Sequence, residues 1–245
     1  MKFAQQYLEL TKLQMRTMRA EFGMIAVVQI ALTLGLVIGF GYLIPNISKE
    51  SATYLVTGTA TQAFVTVALV MLPQFIAQAK EEGRLDYLLT LPISREAYLL
   101  AQVTIVAFMA IPGVILALAF GSWYYDLSLT ADPVFLLVTV LAIFSLAGVG
   151  AALALVIPHL QVVNGICQLV IFYVLFFSPV LLPASQLPAF LQHTAQFMPP
   201  TYSADAVRAS LTNLPDTDLV RSMLIMAGFA VGSLVLSAVT IRRRG

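Results

Sequence analysis

Apolar residues in this 245-residue chain gather into six long runs, and charge and short polar stretches fall between them. A helix rises about 1.5 Å per residue, so about 20 apolar residues cross the roughly 30 Å of bilayer hydrocarbon. Runs of that length fall near 23–44, 53–79, 97–122, 133–157, 162–182 and 220–241, and each predicts a membrane span. Residues 1–22 follow another period. At 100° per residue, Phe3, Ala4, Tyr7, Leu8, Leu10, Met15, Met18 and Phe22 share one face, opposite Lys2, Gln5, Glu9, Lys12, Arg16 and Arg19, with Leu13 and Glu21 off pattern. That pattern predicts an amphipathic helix lying on the membrane surface.

Between the second and third runs stands KEEGRLDYLLTLPISREAYLLAQ, Lys80 to Gln102. Leu85, Leu88 and Leu89 recur at i, i+3 and i+4, which predicts one apolar stripe on a short helix that also carries Arg84 and Asp86. Pro92 pushes Leu91 out of helical geometry, after which Ser94 can cap the next helix with Glu96 in its first turn. The expectation is a helical stub in segment 80–96, set across the span direction and presenting leucines to a partner.

After the fifth run, residues 183–215 are apolar, yet Pro183, Pro188, Pro199 and Pro200 break them into pieces too short to span. Two short helices are predicted, dipping into or lying on the outer leaflet. The second is expected to start after Pro200, with Thr201 or Ser203 as cap and Asp205 in its early turns. Arg208 follows Asp205 by three residues and can pair with it, and Tyr202 belongs to the same piece.

Composition sharpens this picture. With 60% hydrophobic and 10% charged residues, the chain lacks the charge of a water-soluble surface. The fold class is therefore all-α and polytopic: one amphipathic helix (1–22) followed by a single six-helix transmembrane domain (23–245). Orientation follows from the cations. With both termini in the cytoplasm, ten Lys and Arg fall inside and only Lys49, Arg208 and Arg221 outside. A net charge of +1 without a long internal basic run gives no nucleic-acid partner. The lone Cys167 excludes an intrachain disulfide, and the first twenty residues hold no short apolar core of a cleavable signal.

Apart from Arg221 at the very edge of the sixth, no Asp, Glu, Lys or Arg lies within the six runs, whereas gradient-driven porters usually keep charges in the path. Phosphate-loop, zinc-protease and nucleophile-elbow motifs are missing, so the chain is not expected to be an enzyme. His159 and His193 stand far apart, without further ligands, and read as interfacial residues. Inside the runs, Gly35 and Gly39, and Gly228 and Gly232, form small-residue faces, with a weaker version at Ala147 and Ala151; such faces bring helices close within one subunit or between two. Thr59, Gln62 and Thr66 share one side of the second run, and Asn164 and Gln168 are one turn apart in the fifth; each set can serve interhelical bonding or a watery path. Pro73 and Pro112 predict kinks in the second and third spans.

The run EEGRLDYLLTLPISREAYLLAQ resembles the cytoplasmic coupling segment of type 2 ATP-binding-cassette (ABC) exporter permeases, in which an acidic residue and a glycine precede an apolar stub and an L-P-[IV]-S turn. FFSPVLLPASQLPAFLQHTAQFMPPTYSADAVRA resembles the proline-punctuated external segment of the same family. The short inner loop Pro158 to Val163 departs from relatives in carrying no cation. The resemblance implies a permease in the plasma (bacterial inner) membrane that pairs with a second permease subunit, a copy of itself or a sibling. It also implies two cytoplasmic ABC ATPase subunits, on which ATP and magnesium would be held. Glu81, Glu82, Gly83, Arg84, Leu85, Leu88, Leu89 and Pro92 then become the coupling residues. Because the family's axis is lined mainly by helices one, two and five, Thr59, Gln62, Thr66, Asn164 and Gln168 become pathway candidates for an amphipathic drug or lipid-like cargo. A non-transporting scaffold and a gradient-driven transporter are the rival readings.

Overall fold

A computed structural model describes residues 3–44, 47–90, 94–130, 132–183, 186–212 and 218–242, without the side chains of Ala20, Asp86, Leu89, Thr90, Arg95, Ala238, Ile241 and Arg242. Among the described residues the chain is helical and has no strand. Helix α1 (Phe3–Thr17) leads into α2 (Arg19–Leu43), and the second span follows as α3 (Lys49–Phe64), a π-helical stretch (Val65–Met71) and α4 (Leu72–Glu81). The short α5 (Arg84–Thr90) connects it to α6 (Arg95–Tyr124). Then come α7 (Val134–Val156), α8 (Leu160–Phe177), the short pair α9 (Ala189–Ala195) and α10 (Pro199–Leu211), and α11 (Leu219–Arg242). Six of these helices are long and apolar enough to cross a membrane, as the six runs predict.

The second span is the centre of the bundle, with 94% of its most apolar window buried. Its sequence explains how neighbours reach it: Thr57, Gly58, Thr59, Ala60, Thr61 and Ala63 are small, so facing backbones come close. Each threonine there finds a local partner. The hydroxyls of Thr53, Thr57, Thr59, Thr61 and Thr66 each donate to a carbonyl four residues back, at 2.7–3.0 Å. Running 33 residues from Lys49 to Glu81, the helix is about 50 Å long, well beyond the roughly 30 Å of hydrocarbon.

Pro73 disturbs this helix upstream of itself. The backbone N–H of Leu72 bonds Val67 O, five residues back, which closes the π-helical stretch. Proline has no N–H to offer Leu69, and a lipid-embedded carbonyl needs a donor. Cys167 on α8 supplies one: its Sγ lies 3.6 Å from Val70 O and 4.0 Å from Leu69 O. On the other side Gly150 of α7 sits against the carbonyl of Ala68, where a Cβ would come within 2.6 Å of that oxygen. Pro112, by contrast, is accommodated inside an unbroken α6.

Two boundaries differ from the hydrophobic pattern. The fifth span ends at Phe177, not 182, because Ser178 precedes Pro179 and takes the extended conformation that proline imposes. Residues 178–183 then turn back, burying Val180 and Leu181. Helix α10 begins with Pro199 and Pro200 rather than after them, since the first turn of a helix has no use for their missing N–H groups. Its N-cap is Met198, not Thr201 or Ser203.

The close approaches between helices also fall elsewhere than on the glycine pairs. No neighbouring atom comes within 4 Å of a Cβ built at Gly35, Gly39, Gly228 or Gly232. Besides Gly150, tight contacts include Gly58 against the Val180 carbonyl, Gly121 against Val56 and Gly148 against Ser233.

Candidate functional site

The end of the long second span is shaped by its polar residues. At Gly83 the chain takes φ +70°, a left-handed conformation that costs a side-chain-bearing residue about 1 kcal/mol or more. The Gly83 N–H closes back on Lys80 O at 3.1 Å, and Tyr87 N–H bonds Gly83 O at 3.0 Å, so one glycine ends α4 and starts α5. Gly83→Ala should lower the stability of the purified chain by about 1 kcal/mol, read as a fall in melting temperature. An unchanged melting temperature would show that the turn adopts another conformation.

Around this turn Glu82 accepts from Gln78 Nε2 at 2.8 Å and pairs with Arg84 Nε at 2.6 Å, both groups being about half exposed. Glu81 is exposed beside them. Lys80 points the other way. Its Nζ donates to Ala154 O at 3.0 Å and Ile157 O at 2.6 Å, placing a cation on the last carbonyls of α7. The start of the α7–α8 loop, which lacks a cation of its own, thereby receives one from α4.

Helix α5 places its leucines differently from the sequence expectation. Leu85 is 5% exposed and belongs to the subunit's own core, and Leu88 packs partly buried against that core. Leu85 and Leu88 therefore root the helix to its own bundle, which is what an apolar face does when apolar surface lies within reach. Tyr87, at 67%, is an exposed aromatic residue of this helix. Leu89's side chain and Pro92 lie outside the described residues. Ser94 occupies the N-cap of α6 but makes no side-chain cap bond; its backbone N–H is held by Gln6 Oε1 at 3.1 Å. With Tyr7 Oη 2.9 Å from Thr104 Oγ1, this fastens α1 along the start of α6.

The pathway candidates divide. Thr59, Gln62 and Thr66 are 1%, 3% and 3% exposed, inside the subunit. Asn164 is half-buried and Gln168 exposed on α8, in one stripe with the exposed Val162, Leu169, Phe172 and Phe176. Gln29, which the sequence reading passed over, is 1% exposed and donates to Ala63 O at 3.1 Å, tying α2 to α3. An amide in mid-run was the signal that could have found it.

At the opposite end, α10 folds back into the bundle. Arg208 is wholly buried: it donates to Asp205 Oδ1 at 2.9 Å and to Val180 O at 3.0 Å, and its Cζ lies 3.7 Å from the centre of the Tyr54 ring. Burial pulls the guanidinium below its ordinary range, against the pull of Asp205, while burial pushes the Asp205 carboxyl up more strongly than Arg208 draws it down. Tyr202 Oη donates to Gln196 O at 2.7 Å. Tyr202 and Asp205 line a polar cavity of about 450 Å³ together with Glu50, Tyr54, Asp218 and Arg221.

These features define a multi-pass helical membrane domain with a short helix turned across one end of its longest span and a re-entrant helix pair at the other. The model of the ABC-2 type transporter family matches residues 5–212. The chain belongs to that family and is the permease subunit of an ABC transporter, a role that implies association with an ABC ATPase. No curated protein matches the chain.

Proposed function

We propose that this permease exports an amphipathic molecule, a drug, antibiotic or lipid, using ATP hydrolysed by two cytoplasmic ATPase subunits that bind at α5. The observation that carries this reading is α5 itself: a helix held at the end of the central span by Gly83, rooted through Leu85 and Leu88, with Tyr87, Glu81, Glu82 and Arg84 open. A motor gripping that surface acts directly on the second and third spans, between which the helix is strung. Tyr87 fits an apolar groove, and the surrounding charges set orientation. ATP and magnesium would be bound by the ATPase, leaving this chain without catalysis of its own. The cation bias sets α5 and both termini in the cytoplasm of an inner-membrane protein.

A second permease subunit, most simply another copy, would cover the apolar stripe of α8 and the exposed Met24, Val27 and Val28 of α2. The cargo path would then run along Asn164 and Gln168. Thr59, Gln62 and Thr66, buried and mostly bonded to their own helix, are assigned to packing instead.

The test is reconstitution of the permease into vesicles with its partner ABC ATPase, following amphipathic dyes and lipids. ATP-dependent outward movement supports the proposal. Movement driven by an ion gradient without ATP would make the chain a secondary transporter, and partner binding without any movement would make it a scaffold. In the same vesicles Asn164→Leu with Gln168→Leu should alter cargo-stimulated ATP turnover. Turnover identical to the parent's would place the path elsewhere.

A further inference from the structure

A chamber of about 300 Å³ lies between α1, α4, α5 and α6, and Arg84 and Tyr87 of the surface just assigned to the motor line it too. Its walls are apolar where Leu10, Leu13, Phe75 and Leu88 meet. Its floor is not. Gln102, 7% exposed, donates through Nε2 to Tyr98 Oη at 3.0 Å, while its Oε1 has no partner. Gln14 Oε1, from α1, is buried in the same chamber and has none either. An orphaned buried acceptor is costly, and two in one chamber define what is wanted there: a donor. Glu21 and Arg84 supply one charge of each sign among the lining residues.

Donor, opposite charges and an apolar wall together describe a phospholipid with a primary-ammonium headgroup. We infer that this chamber binds such a lipid, ethanolamine-type, from the leaflet at the α5 end. The ammonium would donate to the Glu21 carboxylate and, on a turn of either amide toward the chamber, to Gln102 Oε1 or Gln14 Oε1, the phosphate would meet Arg84 in exchange for Glu82, and the upper chain would lie on Leu10, Leu13 and Phe75. The inference rests on the proposed placement of α1 at the membrane surface, and not on export or its direction. Because Leu88 is one of the walls, a seated lipid braces α5 and ties the coupling helix to the composition of the leaflet.

The experiment uses the full-length chain in detergent, without ATPase or cargo. Phosphatidylethanolamine and phosphatidylglycerol with identical acyl chains are titrated in, with native mass spectrometry counting retained lipid and melting followed in parallel. The expected result is retention of, and stabilisation by, the ethanolamine lipid in preference to the glycerol lipid. Gln102→Leu should cut that retention about tenfold, the equivalent of one hydrogen bond to a charged group. The same substitution removes an orphaned acceptor and, with it, the donor to Tyr98 Oη, so retention is compared below the variant's own lipid-free melting temperature. Should Gln102→Leu fail to fold, Gln14→Leu on the surface helix α1 asks the same question. Equal retention of the two lipids by the parent chain overturns the inference, as does undiminished ethanolamine-lipid retention in the folded variants. Either outcome leaves the export proposal standing, since that is read from ATP-dependent transport.

Discussion

Arg208→Met is expected to lower the melting temperature of the purified chain by roughly 10 °C, corresponding to a loss of about 3 kcal/mol. One buried guanidinium joins three parts of the fold: α10 through Asp205, the turn after α8 through Val180 O, and α3 through the Tyr54 ring. Methionine fills much of the volume and keeps none of these bonds. Val180 cannot drift to find another donor, because its carbonyl is pressed against Gly58. The larger part of the loss is the half-buried Asp205 carboxylate left without its cation, 36% exposed and already pushed above its ordinary range by burial.

That cause gives the prediction a pH signature. A carboxyl whose folded pKa lies above its unfolded value binds its proton more tightly in the folded state, so stability falls as pH rises through the window between the two. Removing Arg208 removes what draws the Asp205 pKa down, so the window extends upward. The melting deficit of Arg208→Met should therefore be smaller at pH 5 than at pH 8, and adding Asp205→Asn should restore part of it at pH 8. A pH-independent deficit that Asp205→Asn leaves untouched would show that the lost packing over Tyr54, not the stranded charge, sets the cost.

What the sequence made legible is the part governed by length and period. Twenty apolar residues in a row have one use, so all six spans could be read, and the Asp205 and Arg208 pair followed from helical spacing alone. What stayed hidden depends on which surface an apolar or polar face meets. The leucines of α5 look the same in sequence whether they face a partner or their own bundle. The threonines of the second span looked like a path because polar groups in lipid need partners, yet a threonine bonds the carbonyl one turn back and needs no cavity. The wholly buried Arg208 was readable as a pair but not as a buried one, since the turn that covers it forms only because Pro179 ends α8 early.

The placement of α5 sets two neighbouring substitutions against each other. Leu85→Asp puts a carboxylate where the side chain is 5% exposed, within the subunit's apolar core, at a cost of several kcal/mol. The chain should fail to accumulate in membranes, or accumulate with a sharply lowered melting temperature. Tyr87→Asp, two residues on, alters a side chain that is 67% exposed and should leave folding and insertion unchanged. Its effect should appear only with the ATPase present: loss of co-purification and of permease-stimulated ATP hydrolysis by tenfold or more, as when an aromatic anchor is removed from the centre of an interface. If the leucines were the gripping surface, the order would invert, with Leu85→Asp well folded and uncoupled and Tyr87→Asp close to the parent. The two outcomes separate a stub that inserts its apolar stripe into the motor from one that spends the stripe on its own foundation and offers the motor a tyrosine set among charges.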